Sequence, residues 1–336
     1  EFFRLTEMVK KTDTIDQFIK ERNKSKILFT AGPASLLKEN IVGLKPCFGR
    51  GDKDYDKVEK RVLTKIKKIS GQRQIVRMQG SASLAIEIMS LNFLYGRVLI
   101  ISTGYYSDRI LWLSKSAKRR KKEITNISVV DWKKLDDVNG NYDWIFACST
   151  ETSCGLKLPI KLLSKICNKL KAKLMLDATG SIGLEPDHDL ANAMAFSSSK
   201  GLFGLTGASF ICFNVKPQIK VDSFYFDINS HLKKMMTGPY HAISSLDETL
   251  KKHSDLKLSV LTNKNLFQKK MQNFLTVPIK FQPLLCTHVR CKITSNNKNV
   301  ILYKPRNNIG GSVVCHLGEV HLGKLAKGKI LENLKV

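Results

Sequence analysis

From about residue 27 the chain alternates short apolar runs with longer amphipathic stretches, a pattern that restricts it to folds layering strands against helices. Runs such as Arg97-Val98-Leu99-Ile100-Ile101-Ser102 and Asp143-Trp144-Ile145-Phe146-Ala147 are continuous rather than alternating, as in strands covered on both faces. The expected strands are 27–30, 74–78, 97–102, 126–130, 143–147, 172–177 and 208–213, with helices over 54–70, 82–95, 107–121 and 159–171. After about residue 245 the pattern changes to a basic helix over 246–272, strand-like runs at 278–282, 286–293 and 299–303, and a closing helix. The reading is an α/β large domain with a mostly parallel central sheet over 27–245, and a smaller C-terminal α+β domain over 246–336. Residues 1–26 read as a charged N-terminal extension; because the first residue is Glu1 rather than methionine, a fragment of a longer protein is expected.

Hydrophobic residues make up 43% of 336, enough to build a large core and too many for a disordered polycation. The eight cysteines show neither a CxxC pair nor Cys/His ligand spacing, and several sit in apolar runs such as Phe210-Ile211-Cys212-Phe213. Free thiols, a reducing cytoplasmic setting and no metal site are therefore expected. No run of 18 apolar residues suggests a membrane span. The formal charge of +27 invites a nucleic-acid reading. However, the excess is mostly lysine, and runs such as Lys118-Arg119-Arg120-Lys121-Lys122 lack interleaved aromatics for base stacking. A solvated basic surface, compatible with small anionic substrates, is the preferred reading.

Four segments carry chemistry. Gly80-Ser81-Ala82-Ser83 follows a strand and opens a helix, where small residues let N–H groups and hydroxyls converge on an anion; an ordinary N-cap is the plainer alternative. Tyr106, just after strand 97–102, is placed to lie flat on a planar ring, although packing alone would also explain it. Asp177 ends an apolar strand, a costly place for a carboxylate unless a cation such as a pyridinium nitrogen meets it or it caps the next helix. Lys200 follows Ser197-Ser198-Ser199 and precedes a glycine-rich turn, where partial desolvation would favour a neutral, nucleophilic amine.

Taken in this order, the segments resemble the class V, fold-type I aminotransferases, and most closely the 2-aminoethylphosphonate:pyruvate aminotransferases, from about Leu28 to Val320. The resemblance implies pyridoxal 5'-phosphate held on Lys200, with Asp177 on its pyridine nitrogen and Tyr106 stacked on its ring. It further implies Ser81, Ala82 and Ser83 at the phosphate and Thr152, within Glu151-Thr152-Ser153-Cys154-Gly155, near the ring oxygen O3'. Ser197, Ser198 and Lys200 match the family's Ser-Ser-x-Lys. Gly32 and Pro33 of Thr30-Ala31-Gly32-Pro33 border the substrate, and Thr237 of Thr237-Gly238-Pro239 reaches the phosphate of a neighbouring subunit, which implies a homodimer. The reaction implied is transfer of the amino group of 2-aminoethylphosphonate to pyruvate, Lys200 moving the proton.

Two departures bear on the substrate. The family's C-terminal arginine, which grips a carboxylate or phosphonate, is replaced by Val313, leaving Arg306 or Arg290 as candidate substitutes. The family's histidine two residues before the Glu-Thr pair is replaced by Ser149. The alternatives are another class V enzyme, such as an alanine- or serine:glyoxylate aminotransferase or a lyase, and a related module with reduced turnover. A cysteine desulfurase is disfavoured, because Cys286 and Cys291 lie in a strand-like stretch.

Overall fold

The computed structural model describes residues 17, 26–32, 36–44, 49–318, 320, 329–332 and 334–336. Nearly all of the expected N-terminal extension, and Pro33, lie outside these residues. The chain runs through β1 (Ile27–Phe29), α1 (Lys53–Ser70), β2 (Gln74–Gln79), α2 (Ala82–Phe93), β3 (Gly96–Ser102) and α3 (Tyr105–Arg120). Next come β4 (Ile124–Asp131), β5 (Trp144–Cys148), β6 (Thr150–Glu151), β7 (Leu156–Lys157), α4 (Ile160–Leu170), β8 (Lys173–Asp177), β9 (Ala193–Ser197) and β10 (Ala208–Phe213). The last stretch holds α5 (Tyr240–Lys251), α6 (His253–Lys270), β11 (Cys286–Val289), β12 (Val300–Leu302) and β13 (Ser312–Cys315).

Seven strands form the central sheet in the order β2-β10-β9-β8-β5-β3-β4. Only β10 runs against its neighbours, so the sheet is mostly parallel. Successive residues of the continuous apolar runs point to opposite faces, and both faces are covered. Leu99, Ile101 and Ile145 pack with α1 and α4 on one side. Val98, Ile100 and Phe146 pack with α2 and α3 on the other. Helix boundaries follow from capping: Asp52 accepts from the N–H groups of Asp54 and Tyr55 at the start of α1, and Gly71 (φ 65°) ends it in the left-handed region.

Three expectations are corrected. The strand β9, Ala193-Met194-Ala195-Phe196-Ser197, is fully buried yet was not anticipated, because its alanines lack β-branched signal; their small size lets α2 pack closely over the strand. The run 278–282 is a short 3-10 helix, Ile279–Phe281, started by Pro278, rather than a strand. The basic stretch 246–272 is two helices, α5 and α6, broken at Lys252 (φ −103°, ψ 8°). Outside the central sheet, β1 pairs in parallel with β12, and β11 pairs antiparallel with β13.

Candidate active site

The strands β2, β3, β5, β8 and β9 all end on one rim of the sheet, as their register requires: Cys148 pairs with Asp177, Asp177 with Ala195, and Ser209 with Ser197. Such a rim is where ligands of open parallel sheets bind. A cavity of about 200 Å³ opens there. Of the residues singled out from sequence, it brings together Ser81, Ala82, Ser83, Tyr106, Thr152, Asp177, Lys200 and Arg306. The wall also includes Arg109, Cys148, Thr150, Thr179, Gly180 and Ser197. Ser197 belongs to the Ser-Ser-x-Lys match noted above, and the other five lie within a few residues of positions that motif order picked out.

Asp177 is 1% exposed, and its charge is answered on both oxygens. Oδ2 accepts from the Arg109 guanidinium at 2.9 Å, while Oδ1 accepts from the backbone N–H of Thr179 at 3.0 Å and from its hydroxyl at 2.5 Å. Arg109 also donates to Ser83 Oγ at 3.0 Å. A buried carboxylate held this way keeps its position without burying an unpaired charge. Beside it, burial raises the Cys148 thiol well above its ordinary range, so the sulfur stays protonated.

Lys200 reaches the cavity from the turn after β9. The Ser198 hydroxyl meets the carbonyls of Leu205 and Ala208, and the N–H of Gly204 donates to Ser198 O, closing the turn around the lysine. Gly201 is required there, since a Cβ would stand 2.1 Å from the carbonyl oxygen of Ile182. The lysine stem runs along Gly32, and its Nζ lies 5.6 Å from the centre of the Tyr106 ring. The Arg109 guanidinium is 4.9 Å from that same ring.

Ser81 precedes α2 without capping it by its side chain, and Ser81, Ala82 and Ser83 at this helix start line the cavity. The positive end of a helix left open in this way suits an anion. Tyr106 is positioned through Glu151, fully buried, whose Oε2 accepts from the N–H groups of Tyr106 and Ser107 at 3.0 and 3.1 Å. Burial raises the Glu151 carboxyl above its ordinary range even against those bonds. Three buried polar atoms of the wall have no hydrogen-bond partner: Arg109 Nε, Thr150 Oγ1 and Thr152 Oγ1. Orphans of this kind, gathered on one cavity with a lysine, a buried carboxylate, an aromatic face and an open helix end, match a planar aromatic ligand with a ring nitrogen, a ring oxygen and a phosphate.

Geometry also separates the two candidate arginines. Arg306 lines the cavity mouth and donates to the Tyr105 hydroxyl at 3.3 Å, with its guanidinium 5.4 Å from that ring. Arg290 turns away, donating to Asn273 O at 2.5 Å. Val313 is buried in an apolar cluster with Ala31 and Leu317. Thr237 is exposed and not part of this cavity. Ser149 bonds Ser181 at 2.7 Å, and Ser181 bonds His188 at 2.9 Å, so an imidazole from elsewhere in the chain joins the network beneath Asp177.

No family model matches the chain. An alignment with a 2-aminoethylphosphonate–pyruvate transaminase of Pseudomonas aeruginosa is 22% identical and covers 69% of each protein. One with a transaminase of the same description from Pseudomonas putida is 25% identical, over 68% of this chain and 69% of the relative. A match to an aminotransferase of Helicobacter pylori, 22% identical, spans 60% of that protein's length. Among solved structures, an alanine–glyoxylate aminotransferase from Nostoc sp. superposes with a TM-score of 0.75 at 16% identity, over 91% of this chain and 95% of the other. A pyridoxamine-pyruvate aminotransferase from Mesorhizobium loti gives 0.74 at 16% identity, covering 88% and 87%. The chain thus has the fold-type I architecture of these aminotransferases, which use pyridoxal phosphate, and is similar in sequence to 2-aminoethylphosphonate–pyruvate transaminases.

Proposed function

We propose that this chain is a pyridoxal-phosphate-dependent aminotransferase that moves the amino group of 2-aminoethylphosphonate to pyruvate, yielding phosphonoacetaldehyde and alanine. The observation that carries this reading is the convergence of Lys200, Asp177 and Tyr106 on one cavity whose wall holds unpartnered buried donors. In this reading Lys200 Nζ holds the cofactor, Asp177 meets its ring nitrogen, and Tyr106 covers its ring. Ser81, Ala82 and Ser83 take the phosphate, and Thr152 takes the ring oxygen. Bound pyridoxal phosphate supplies the electron sink. The Lys200 amine would take up the proton at the substrate carbon as a general base and return it as a general acid. Gly32 borders the substrate, and Arg306 meets its anionic group. Thr237 from a second copy of the chain completes the phosphate site, making the working unit a homodimer, in the cytoplasm. The division into a large domain, 27–245, and a small one, 246–336, belongs to the same reading.

Val313, apolar where an arginine was expected, favours a second reading: a class V enzyme of other substrate preference, such as an alanine- or serine:glyoxylate aminotransferase or a lyase. Purified protein given 2-aminoethylphosphonate and pyruvate is expected to form alanine. Alanine plus glyoxylate is the contrasting assay, and glycine from the second without alanine from the first would transfer the assignment. The holoprotein is expected to be yellow with a borohydride-sensitive band, and Lys200→Ala to lose that reducible band.

A further inference from the structure

Thr237 is exposed, yet the residues on either side of it are held by a buried ion pair that the proposal above does not use. Glu59 on α1 and Arg77 on β2 are 2% and 6% exposed, and Arg77 Nε donates to Glu59 Oε1 at 2.6 Å. From the turn before Thr237, Lys234 Nζ donates to the other carboxylate oxygen, Glu59 Oε2. Just after Thr237, the Arg77 guanidinium lies against Gly238, where a Cβ would stand 2.7 Å from the guanidinium carbon. Arg50 adds a third tie, donating to the carbonyls of Lys234 and Met235 at 3.4 and 3.3 Å. Thr237 therefore stands between two anchors on one buried pair, while Leu232, Met235 and Thr237 itself are exposed.

The lysine at 234 is at odds with its backbone. It follows the short helix Ile228–Leu232 with φ 53°, its N–H donates to His231 O, and the N–H of Met235 donates to Ser230 O, each at 3.0 Å. A helix ending of this kind favours glycine, because a side chain is strained in the left-handed region. A lysine there gives up that ease and keeps an ammonium that reaches Glu59. Arg77 already answers the Glu59 charge, so burying the carboxylate does not require a second cation. What the Lys234 bond adds is a fixed path for the backbone between the helix end and Thr237.

We propose that Lys234 is a positioning residue acting through Thr237: by tying this turn to Glu59, it presents the Thr237 hydroxyl to the phosphate site of a second copy of the chain. The inference rests on the proposed function in that Thr237 is the residue that reaches the partner's phosphate. It adds that the affinity of one site for its cofactor is set by a lysine and a buried ion pair belonging to the other protomer.

The test titrates cofactor-free protein with pyridoxal phosphate and reads the borohydride-sensitive visible band. Lys234→Gly, which relieves the turn and leaves Glu59 paired with Arg77, is expected to weaken cofactor binding about tenfold. Lys234→Arg should keep the wild-type affinity, and Lys234→Gly/Thr237→Ala should bind no more weakly than Thr237→Ala alone. Mixed dimers separate positioning from a structural role. A Lys234→Gly chain paired with a Lys200→Ala chain has its one anchoring lysine beside an unaltered partner turn, and should bind with wild-type affinity. A wild-type chain paired with a Lys200→Ala/Lys234→Gly chain carries the same substitutions, but its anchoring lysine meets the altered turn and should show the loss. Equal affinities in the two dimers, or the loss in the first alone, overturn the proposal. Wild-type affinity in Thr237→Ala would instead sink the proposed role of Thr237, and a wild-type chain without the reducible band would sink the proposed function, so the failures are distinguishable.

Discussion

Arg306 carries a full charge at the cavity mouth, and no carboxylate among the described residues answers it. Its bond and ring contact with Tyr105 hold the guanidinium in one place without neutralising it, which is what an anion receiver needs. Arg306→Gln is expected to raise KM for an anionic amino donor about tenfold with kcat little changed, whereas Arg290→Gln should leave both alone; steady-state kinetics read the split. Nothing in the sequence distinguishes these two arginines, because the distinction lies in where the fold carries the segments after β11 and β12. Lys200, Asp177 and Tyr106 were legible because each stands at a strand end in a fixed order. Thr150, Cys148 and Arg109 were not assigned, since a wall residue needs only a position, and residues of many types can fill one. Asp177 shows the limit most clearly: its position could be read, but the Arg109 partner that makes its burial tolerable comes from another element.

At the scale of elements, strands rich in branched side chains were readable, and β9 was not. Its alanines are chosen by the helix lying over them, information that is absent from the run itself. Likewise the break at Lys252 leaves no proline or glycine mark, so one helix was expected where two stand. The end of α1 illustrates the opposite case, since Gly71 is both visible and necessary. Its φ of 65° is left-handed, and a Cβ there would lie 2.4 Å from that of Asp189. Gly71→Ala is therefore expected to cost about 1–3 kcal/mol, read as a lower urea midpoint with unchanged slope. The buried Arg77–Glu59 pair, at 2.6 Å, ties α1 to β2. Burial works to raise the Glu59 carboxyl, but the bonds from Arg77 and Lys234 prevail and hold it below its usual range.

Across the whole molecule, stability should depend on pH in a direction set by buried imidazoles. Burial lowers His188 to about 4 and His316 to about 3, both below the ordinary value of 6.5. The unfolded chain therefore binds protons first. Stability is full above pH 6.5 and falls as pH drops through the folded values, by up to roughly 1.4 kcal/mol per pH unit for each group. Urea midpoints should agree at pH 8 and 7 and fall clearly at pH 5, and a flat profile over that window would contradict this account. One further consequence follows from β1. This strand, which leads to Gly32 beside Lys200, pairs among the described residues with β12, which in turn leads to Tyr303 and Arg306. Gly32 beside the Lys200 stem and Arg306 in the cavity lining are thus held together through two stretches far apart in sequence, a contact that local structure cannot form first. Limited proteolysis between Lys200 and Val300 would part β1 from the strand it pairs with, and is expected to loosen the chain at Gly32, beside the Lys200 stem.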